Sequence, residues 1–262
     1  ASDVYKRQVL LADEINRATP RTQSALLECM EERQITVDGV TRALERPFFV
    51  VATQNPVGSA GTQLLPQAQL DRFMIRLAMG YPDFASQVNI LRDRRTGDPL
   101  DAVDTVSSAA ALLEMQAQAR SVHVADALLA YITHLAEASR THPLVTLGVS
   151  PRGALAVCRM CRSRAFMEGR DYVLPDDVAY IFSDVCAHRL ILSAKARITE
   201  TSAADVLAEL LADKNNEPIA MLAMLGMQMR KLYAARLAVE QGLGADYVMT
   251  VSYTHLRAHE TL

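Results

Sequence analysis

Tryptophan is absent from the 262 residues, and six Phe with eight Tyr hold aromatic side chains to 5% of the chain. A ring-filled all-β core is therefore not expected, and 11 Gly with 10 Pro supply little turn chemistry for many short strands. Helix should dominate. No apolar run approaches the roughly 18 residues that a membrane-crossing helix needs, and no basic-then-apolar leader opens the sequence. No membrane span and a cytoplasmic location are the resulting expectations. Four cysteines are too few for a disulfide framework. Lys and Arg number 27 against 30 Asp and Glu, a net charge of −3 that withholds the global attraction of a dedicated nucleic-acid binder. Nucleic acid is not expected as a partner.

Residues 9–12 (V-L-L-A) form a wholly apolar run of strand length that ends in Asp13 and Glu14, the pattern of a buried parallel strand opening onto a site. Thr19-Pro20 then supplies a helix cap and a proline at the first helical position, with an apolar stripe of Ala25, Leu26, Cys29 and Met30 behind it. Residues 34–44 alternate around Asp38-Gly39, the signature of a two-residue hairpin turn, and this hairpin is expected to be exposed. A second apolar strand, 48–52, ends in Thr53-Gln54-Asn55-Pro56; a short helix is expected over 66–73 and a third strand over 74–79. Every later apolar period is near 3.6, which predicts helices over 84–95, 107–118, 124–140, 151–169 and 175–192, with Asp104 and Asp176 as helix-start residues. Cys158 and Cys161 have the spacing of a zinc half-site, but their surroundings read as helix and no second pair follows. His123, His134, His142 and His188 fall singly and read as packed or capping imidazoles.

An apolar strand followed by Asp-Glu is how a magnesium-dependent phosphohydrolase presents a metal-binding carboxylate and a water-polarising one. In a parallel sheet the neighbouring strand ends alongside, which would bring Asn55 within reach of the same water. The same acids would equally cap the helix that follows, and Asn55 would equally make a turn before Pro56.

Five segments taken in order, V-L-L-A-D-E-I-N-R-A (9–18), A-L-L-E-C-M-E-E-R-Q-I-T-V-D-G (25–39), F-F-V-V-A-T-Q-N-P (48–56), L-P-Q-A-Q-L-D-R-F (65–73) and V-S-P-R-G-A-L (149–155), resemble the MoxR branch of the AAA+ ATPases. The resemblance implies an α/β fold: a partial AAA+ P-loop NTPase core, a parallel-sheet remnant with a hairpin insert, followed by an α-helical lid bundle. It implies ATP and Mg²⁺, with Asp13 as the metal-binding residue and Glu14 as the catalytic carboxylate of Walker B. Asn55 would be sensor 1, Arg72 the arginine finger that reaches a neighbouring subunit's nucleotide, and Arg152 sensor 2 of the lid; Arg17 would face the subunit interface. A planar, always-charged guanidinium suits stabilising the charge that spreads over a γ-phosphate in transfer. The rival reading of Arg72 is an ion pair with Asp71 or Asp83, and that of Arg152 an incidental surface residue. The implied partners are further copies of the chain in a ring, commonly a hexamer, client protein complexes that it matures, and proteins with a von Willebrand factor A domain.

Two departures accompany the match. No G-x-x-x-x-G-K-[ST] occurs, so the phosphate-cradling loop and its lysine are missing. The full-length parent is expected to be an ATPase and the present excerpt inactive. Residues 214–249 extend past the family's lid and resemble the C-terminal region of the bacterial clamp-loader delta subunit, through a wrong join of two gene fragments or as an extra helical hairpin. Met221, Met224, Met227 and Met229 in this stretch read as packing filler. Residues 2–8 and 251–262 join no periodic pattern and resemble translated adapter sequence. The expected division is a foreign tail over 1–8, the partial core over 9–82, the lid over 83–212, the extra segment over 213–250 and a second tail over 251–262. A clamp-loader-like replication component and a non-catalytic AAA+ scaffold are the rival functions.

Overall fold

The computed structural model describes residues 8–54, 65–94 and 98–213, with single positions Met229, Leu232, Tyr233, Arg236 and Glu240 beyond them. They fall into two compact units, one of residues up to Ser121 together with Asp184–Arg189, the other of Val122–Ser183 together with those from Leu190 onward.

In the first unit, strand β1 (Val9–Ala12) pairs in parallel with β4 (Phe49–Ala52), in the register Val9 to Phe49 through Ala12 to Ala52. Between them run helix α1 (Pro20–Glu32) and the hairpin β2 (Gln34–Val37) and β3 (Val40–Ala43). The Thr19 hydroxyl accepts from Thr22 N at 3.3 Å and Pro20 occupies the first turn, so α1 begins where the cap residues place it. Leu26 of α1 packs with Ile15 and Leu65 against Leu10, Ala12, Val50 and Ala52. The alternate residues Val9, Leu11, Phe49 and Val51 are exposed. The strands are therefore not buried on both faces as their apolar runs suggest; among the described residues only one face of the sheet is covered.

Asp38 and Gly39 both take positive φ, 52° and 76°, the requirement of the tight hairpin turn that Asp-Gly announces. The hairpin is not wholly exposed, because Ile35 is buried with Cys29 and Leu44. Helix α2 (Gln67–Leu70) is shorter than expected, and residues 74–79 form no strand. Their apolar alternation finds no ladder: Arg76 N donates instead to Asp184 O at 3.1 Å, and Met79 stands almost fully exposed. Helices α3 (Phe84–Asp93) and α4 (Ala109–Ser121) complete this unit. Asp83 caps α3, its carboxyl held below the usual range by the Ser86 backbone N–H; α4 is started by Ser108, not by Asp104.

The second unit is built on α5 (Asp126–Thr141), which packs on α6 (Pro151–Met167), α9 (Ala203–Ala212) and strand β5 (Val145–Leu147). Helix α7 (Pro175–Cys186) ends earlier than periodicity predicts, because Ile191–Leu192 forms strand β6, antiparallel to β5, ahead of the short α8 (Ala194–Ile198). Leu128, Leu135, Val149, Val157, Val178, Phe182, Val206 and Leu207 are fully buried. Asp176 lies in the first turn of α7, as expected of an acid near a positive helix end, but Asp177 is the buried one. Its carboxylate takes a bidentate pair from Arg170 at 2.7 and 2.9 Å, Arg164 Nε at 3.2 Å and Leu174 N at 2.8 Å, so the buried charge is fully partnered.

The turn into α6 packs closely on α5. Ser139 Oγ accepts from Val149 N at 2.9 Å, and Arg140 Nε donates to Val149 O at 2.8 Å. Gly148 lies so close to α5 that a Cβ there would fall 2.6 Å from Arg140 N and 2.7 Å from Ser139 C. Both obstacles are backbone and cannot rotate aside. Gly148→Ala should lower the urea midpoint by the equivalent of about 1–3 kcal/mol, the usual cost of overpacking; an unchanged midpoint would show that the turn has slack.

Candidate functional site

Parallel pairing brings the C-terminal ends of β1 and β4 out on one edge. The ladder runs one residue past the strands, with Thr53 N donating to Ala12 O and Ile15 N to Thr53 O, each at 3.0 Å. There the chain leaves β1 through Glu14 in the left-handed region, φ 48° and ψ 49°, which costs a residue with a Cβ about 1–2 kcal/mol. Thr53 offsets that cost. Its hydroxyl accepts from Glu14 N at 2.8 Å and donates to Asp13 Oδ1 at 2.5 Å, so one side chain fixes both acids. Gln23 of α1 is buried and its Nε2 donates to Ile15 O at 3.2 Å and Ala18 O at 3.3 Å, pinning the single 3₁₀ turn Ile15–Arg17 behind them.

Asp13 is exposed, and among the described residues only its Oδ1 is hydrogen-bonded. An accessible hard oxygen at a strand tip is what Mg²⁺ takes from a protein, since the ion keeps most of its shell as water and phosphate oxygens. The donor set fits that ion. Glu14 is half-buried, and its Oε2 accepts from Arg17 Nη1 at 2.7 Å, an exposed pair of little strength. Arg17, expected at a subunit interface, lies folded onto Glu14 in this chain. Asn55 lies outside the described residues.

Arg72 follows α2 and pairs with neither Asp71 nor Asp83. Its Nε lies 2.9 Å from Glu31 Oε1 of α1, and Asp71 is instead held by Arg189 Nε at 2.9 Å. Beside Arg72 an open groove of about 490 Å³ is lined by Ser24, Glu28, Glu31, Glu32 and Gln69. Three carboxylates make it unsuited to a phosphate group. Arg152 stands exposed in the first turn of α6, in the second unit, behind the cap Ser150, whose Oγ accepts from Gly153 N at 3.1 Å. The structure thus joins Asp13 and Glu14 through Thr53, and sets Arg72 and Arg152 on other elements.

The end of α7 returns to the first unit as a buried polar cluster. Burial, with Arg189 adding to it, pushes the His188 imidazole down to about 4, and burial raises the Cys186 thiol to about 12. Both are neutral near pH 7. Sequence reading missed Thr53, Gln23 and Arg189. A threonine at a strand end and a glutamine on a helix carry no local signal, and Arg189 finds its partner 118 residues away.

The family profile described as ATPase family associated with various cellular activities (AAA) matches residues 3–75, and the AAA lid domain profile matches 137–210. A Bacillus subtilis protein, YeaC, described as uncharacterised, is 42% identical over 204 residues, 78% of this chain and 64% of its own length. Chaperone MoxR1 of Mycobacterium tuberculosis is 38% identical over 211 residues, 77% of this chain and 55% of its own. Protein MoxR of Methylorubrum extorquens is 32% identical, with 70% of this chain and 59% of its own covered. The crystal structure of a Cytophaga hutchinsonii protein described as a candidate ATPase superposes with a TM-score of 0.73 at 35% identity, covering 78% of this chain and 64% of that one. The chain therefore spans 55–64% of the length of these curated relatives. These matches favour the AAA+ reading over the clamp-loader one, and residues 214–249 lie outside the described residues except for the five positions named above. No described helix is long and apolar enough to cross a membrane.

Two outcomes follow from the geometry. Thr53→Val removes the hydroxyl that holds Glu14 N, a loss of about 1 kcal/mol; amide hydrogen exchange at Glu14 should quicken by roughly fivefold, and an unchanged rate would show that Thr53 does not hold the turn. His188 is held neutral when folded, with a pKa near 4 against 6.5 free, so the unfolded chain binds the extra proton first. Its contribution is complete above pH 6.5 and is lost as pH falls toward 4, by at most about 3 kcal/mol. The urea midpoint of His188→Asn should fall less steeply across that window than that of the parent chain.

Proposed function

This chain belongs to the MoxR family of AAA+ ATPases, and we propose that it is the Walker B edge and lid of an ATP-driven, chaperone-like machine. The full-length protein hydrolyses ATP between subunits of a ring, a hexamer of identical chains in the cytoplasm, and uses the cycle to mature or activate other protein complexes. Proteins with a von Willebrand factor A domain are among its partners. The name of one relative, Chaperone MoxR1, supports the chaperone part of this reading.

The observation that carries the proposal is the linkage of Asp13, Thr53 and Glu14 at two adjoining strand ends. In this reading Asp13 would hold Mg²⁺, which when bound would supply charge neutralisation to the phosphate oxygens. Glu14 polarises the water that attacks the γ-phosphorus, its carboxylate aimed by the left-handed turn that Thr53 holds. Asn55, two residues beyond Thr53, orients that water. Arg72 and Arg152 are the guanidinium groups that meet the charge spread over the transferred group, Arg72 on a neighbouring subunit's nucleotide and Arg152 from the lid. Domain division follows the same reading, with core over 9–82 and lid over 83–212. The 262 residues contain no G-x-x-x-x-G-K-[ST], so by themselves they bind nucleotide weakly and turn none over.

Glu14→Gln in the full-length protein tests the central role. ATP should still bind, while steady-state turnover drops by about 10²-fold or more, the usual range for a lost catalytic base. Undiminished turnover would remove Glu14 from that role. A full-length parent that binds no ATP would turn the reading toward a non-catalytic scaffold.

A further inference from the structure

Among the described residues Arg189 makes hydrogen bonds through all three guanidinium nitrogens, and its contacts converge on the residues around Arg72. It is 3% exposed and lies in the 3₁₀ turn Ala187–Arg189 that follows α7. Nε donates to Asp71 Oδ1 at 2.9 Å. Nη2 donates to Asp71 O at 3.2 Å and to Phe73 O at 2.7 Å, the carbonyls on either side of Arg72. Nη1 donates to Met74 O at 3.2 Å and to Val185 O, and sits 2.9 Å from His188 Nε2. Gln67 Nε2 closes the cluster from α2 by donating to His188 O at 2.8 Å. A planar fork with five donors reaches several carbonyls of one loop in this way, which a lysine ammonium on a single axis does not.

Arg72's own side chain shares none of this rigidity. It is about a quarter exposed, and its polar contacts among the described residues are Glu31 Oε1 at 2.9 Å and, at 3.4 Å, Ala68 O. Its backbone is clamped while its guanidinium rests on a partly exposed carboxylate, the arrangement of a pointer with a fixed base and a movable tip. We propose that Arg189, anchored by Asp71, is a positioning residue for Arg72, holding the loop from which that guanidinium is presented to the phosphates of a neighbouring subunit. The proposal rests on the reading of Arg72 as a group that acts in trans. It makes the end of α7, from which Arg189 follows, one of the elements on which the aim of Arg72 depends.

The test uses the full-length protein with Asp71→Asn, which keeps an acceptor oxygen and removes the charge. Misplacement of a catalytic group by about 1 Å costs up to roughly 10²-fold, so kcat for ATP should fall by about tenfold to a hundredfold. KM should stay within about twofold, since nucleotide contacts in the same subunit are untouched. The decisive readout is mixing. Glu14→Gln subunits carry a dead site but an intact Arg72, so in mixed rings they should restore turnover at the sites of Asp71→Asn subunits; Arg72→Ala subunits should be restored the same way. A defect of folding in the Asp71→Asn subunit is not repaired by a neighbour's arginine. Restoration of Arg72→Ala but not of Asp71→Asn overturns the positioning role, as does wild-type kcat in Asp71→Asn alone. Failure to restore Arg72→Ala overturns the trans reading itself and the proposal with it. Should Asp71→Asn not fold, Arg189→Lys enters the same mixing test: restoration supports the positioning role, and its absence beside a restored Arg72→Ala overturns it.

Discussion

The structure turns on the register of two short parallel strands. Ala12 lies opposite Ala52, and from that pairing Asp13, Glu14 and Thr53 take their places. A slip of one residue would turn Leu10, Ala12, Val50 and Ala52 away from Ile15 and Leu26, since side chains alternate along a strand. It would also carry Thr53 away from Asp13 and Glu14. Burial and site assembly are thus selected by the same register. The left-handed turn at Glu14 opposes it by about 1–2 kcal/mol, and the two hydrogen bonds of the Thr53 hydroxyl, one accepted from Glu14 N and one donated to Asp13, each worth about 1 kcal/mol, bring the balance near zero. Thr53 and Gln23 together hold the turn.

The two units meet the same problem, a polar group taken out of water, in different ways. In the second unit Asp177 is sealed and satisfied on every side by Arg170, Arg164 and Leu174 N, and Arg164 lies over the Tyr180 ring at 3.4 Å. That network fixes packing and leaves nothing to move. In the first unit the buried guanidinium of Arg189 directs its donors mainly to backbone carbonyls, so what it fixes is the path of a loop.

Local features were legible in the sequence. Asp-Gly announced the hairpin because positive φ at both positions is a property of those two residues, and Thr19-Pro20 announced a helix start for the same kind of reason. The apolar runs read at 9–12 and 48–52 gave parallel strands over 9–12 and 49–52 that end in polar groups. Residues 74–79 show where pattern stops being sufficient: alternation marks a segment able to pair, and this one meets the Asp184 carbonyl and the Arg189 guanidinium and, among the described residues, no strand. Strands β5 and β6 were invisible for the converse reason, since each is too short to show a period and is defined by its partner. Asp71 was legible as an acid beside Arg72, but its true partner Arg189 lies 118 residues on, a distance no window spans.

Arg72 shows how the legible and illegible parts combine. Its type and its place in L-D-R-F are read from sequence; what governs its behaviour is the difference between the hold on its backbone and the hold on its tip. The backbone is bracketed by a guanidinium almost wholly out of water, where each bond is strengthened by low dielectric. The tip rests on Glu31, whose carboxylate is one-third exposed, and such a pair is worth about 0–1 kcal/mol. In the proposed role, a group with more negative charge than one carboxylate would compete with Glu31 for the guanidinium while the backbone of Arg72 stays held. On that proposal the reach of Arg72 would be set by the length of its side chain from a backbone that Arg189 holds, and whatever alters the seat of Arg189 would alter the point from which that reach is measured.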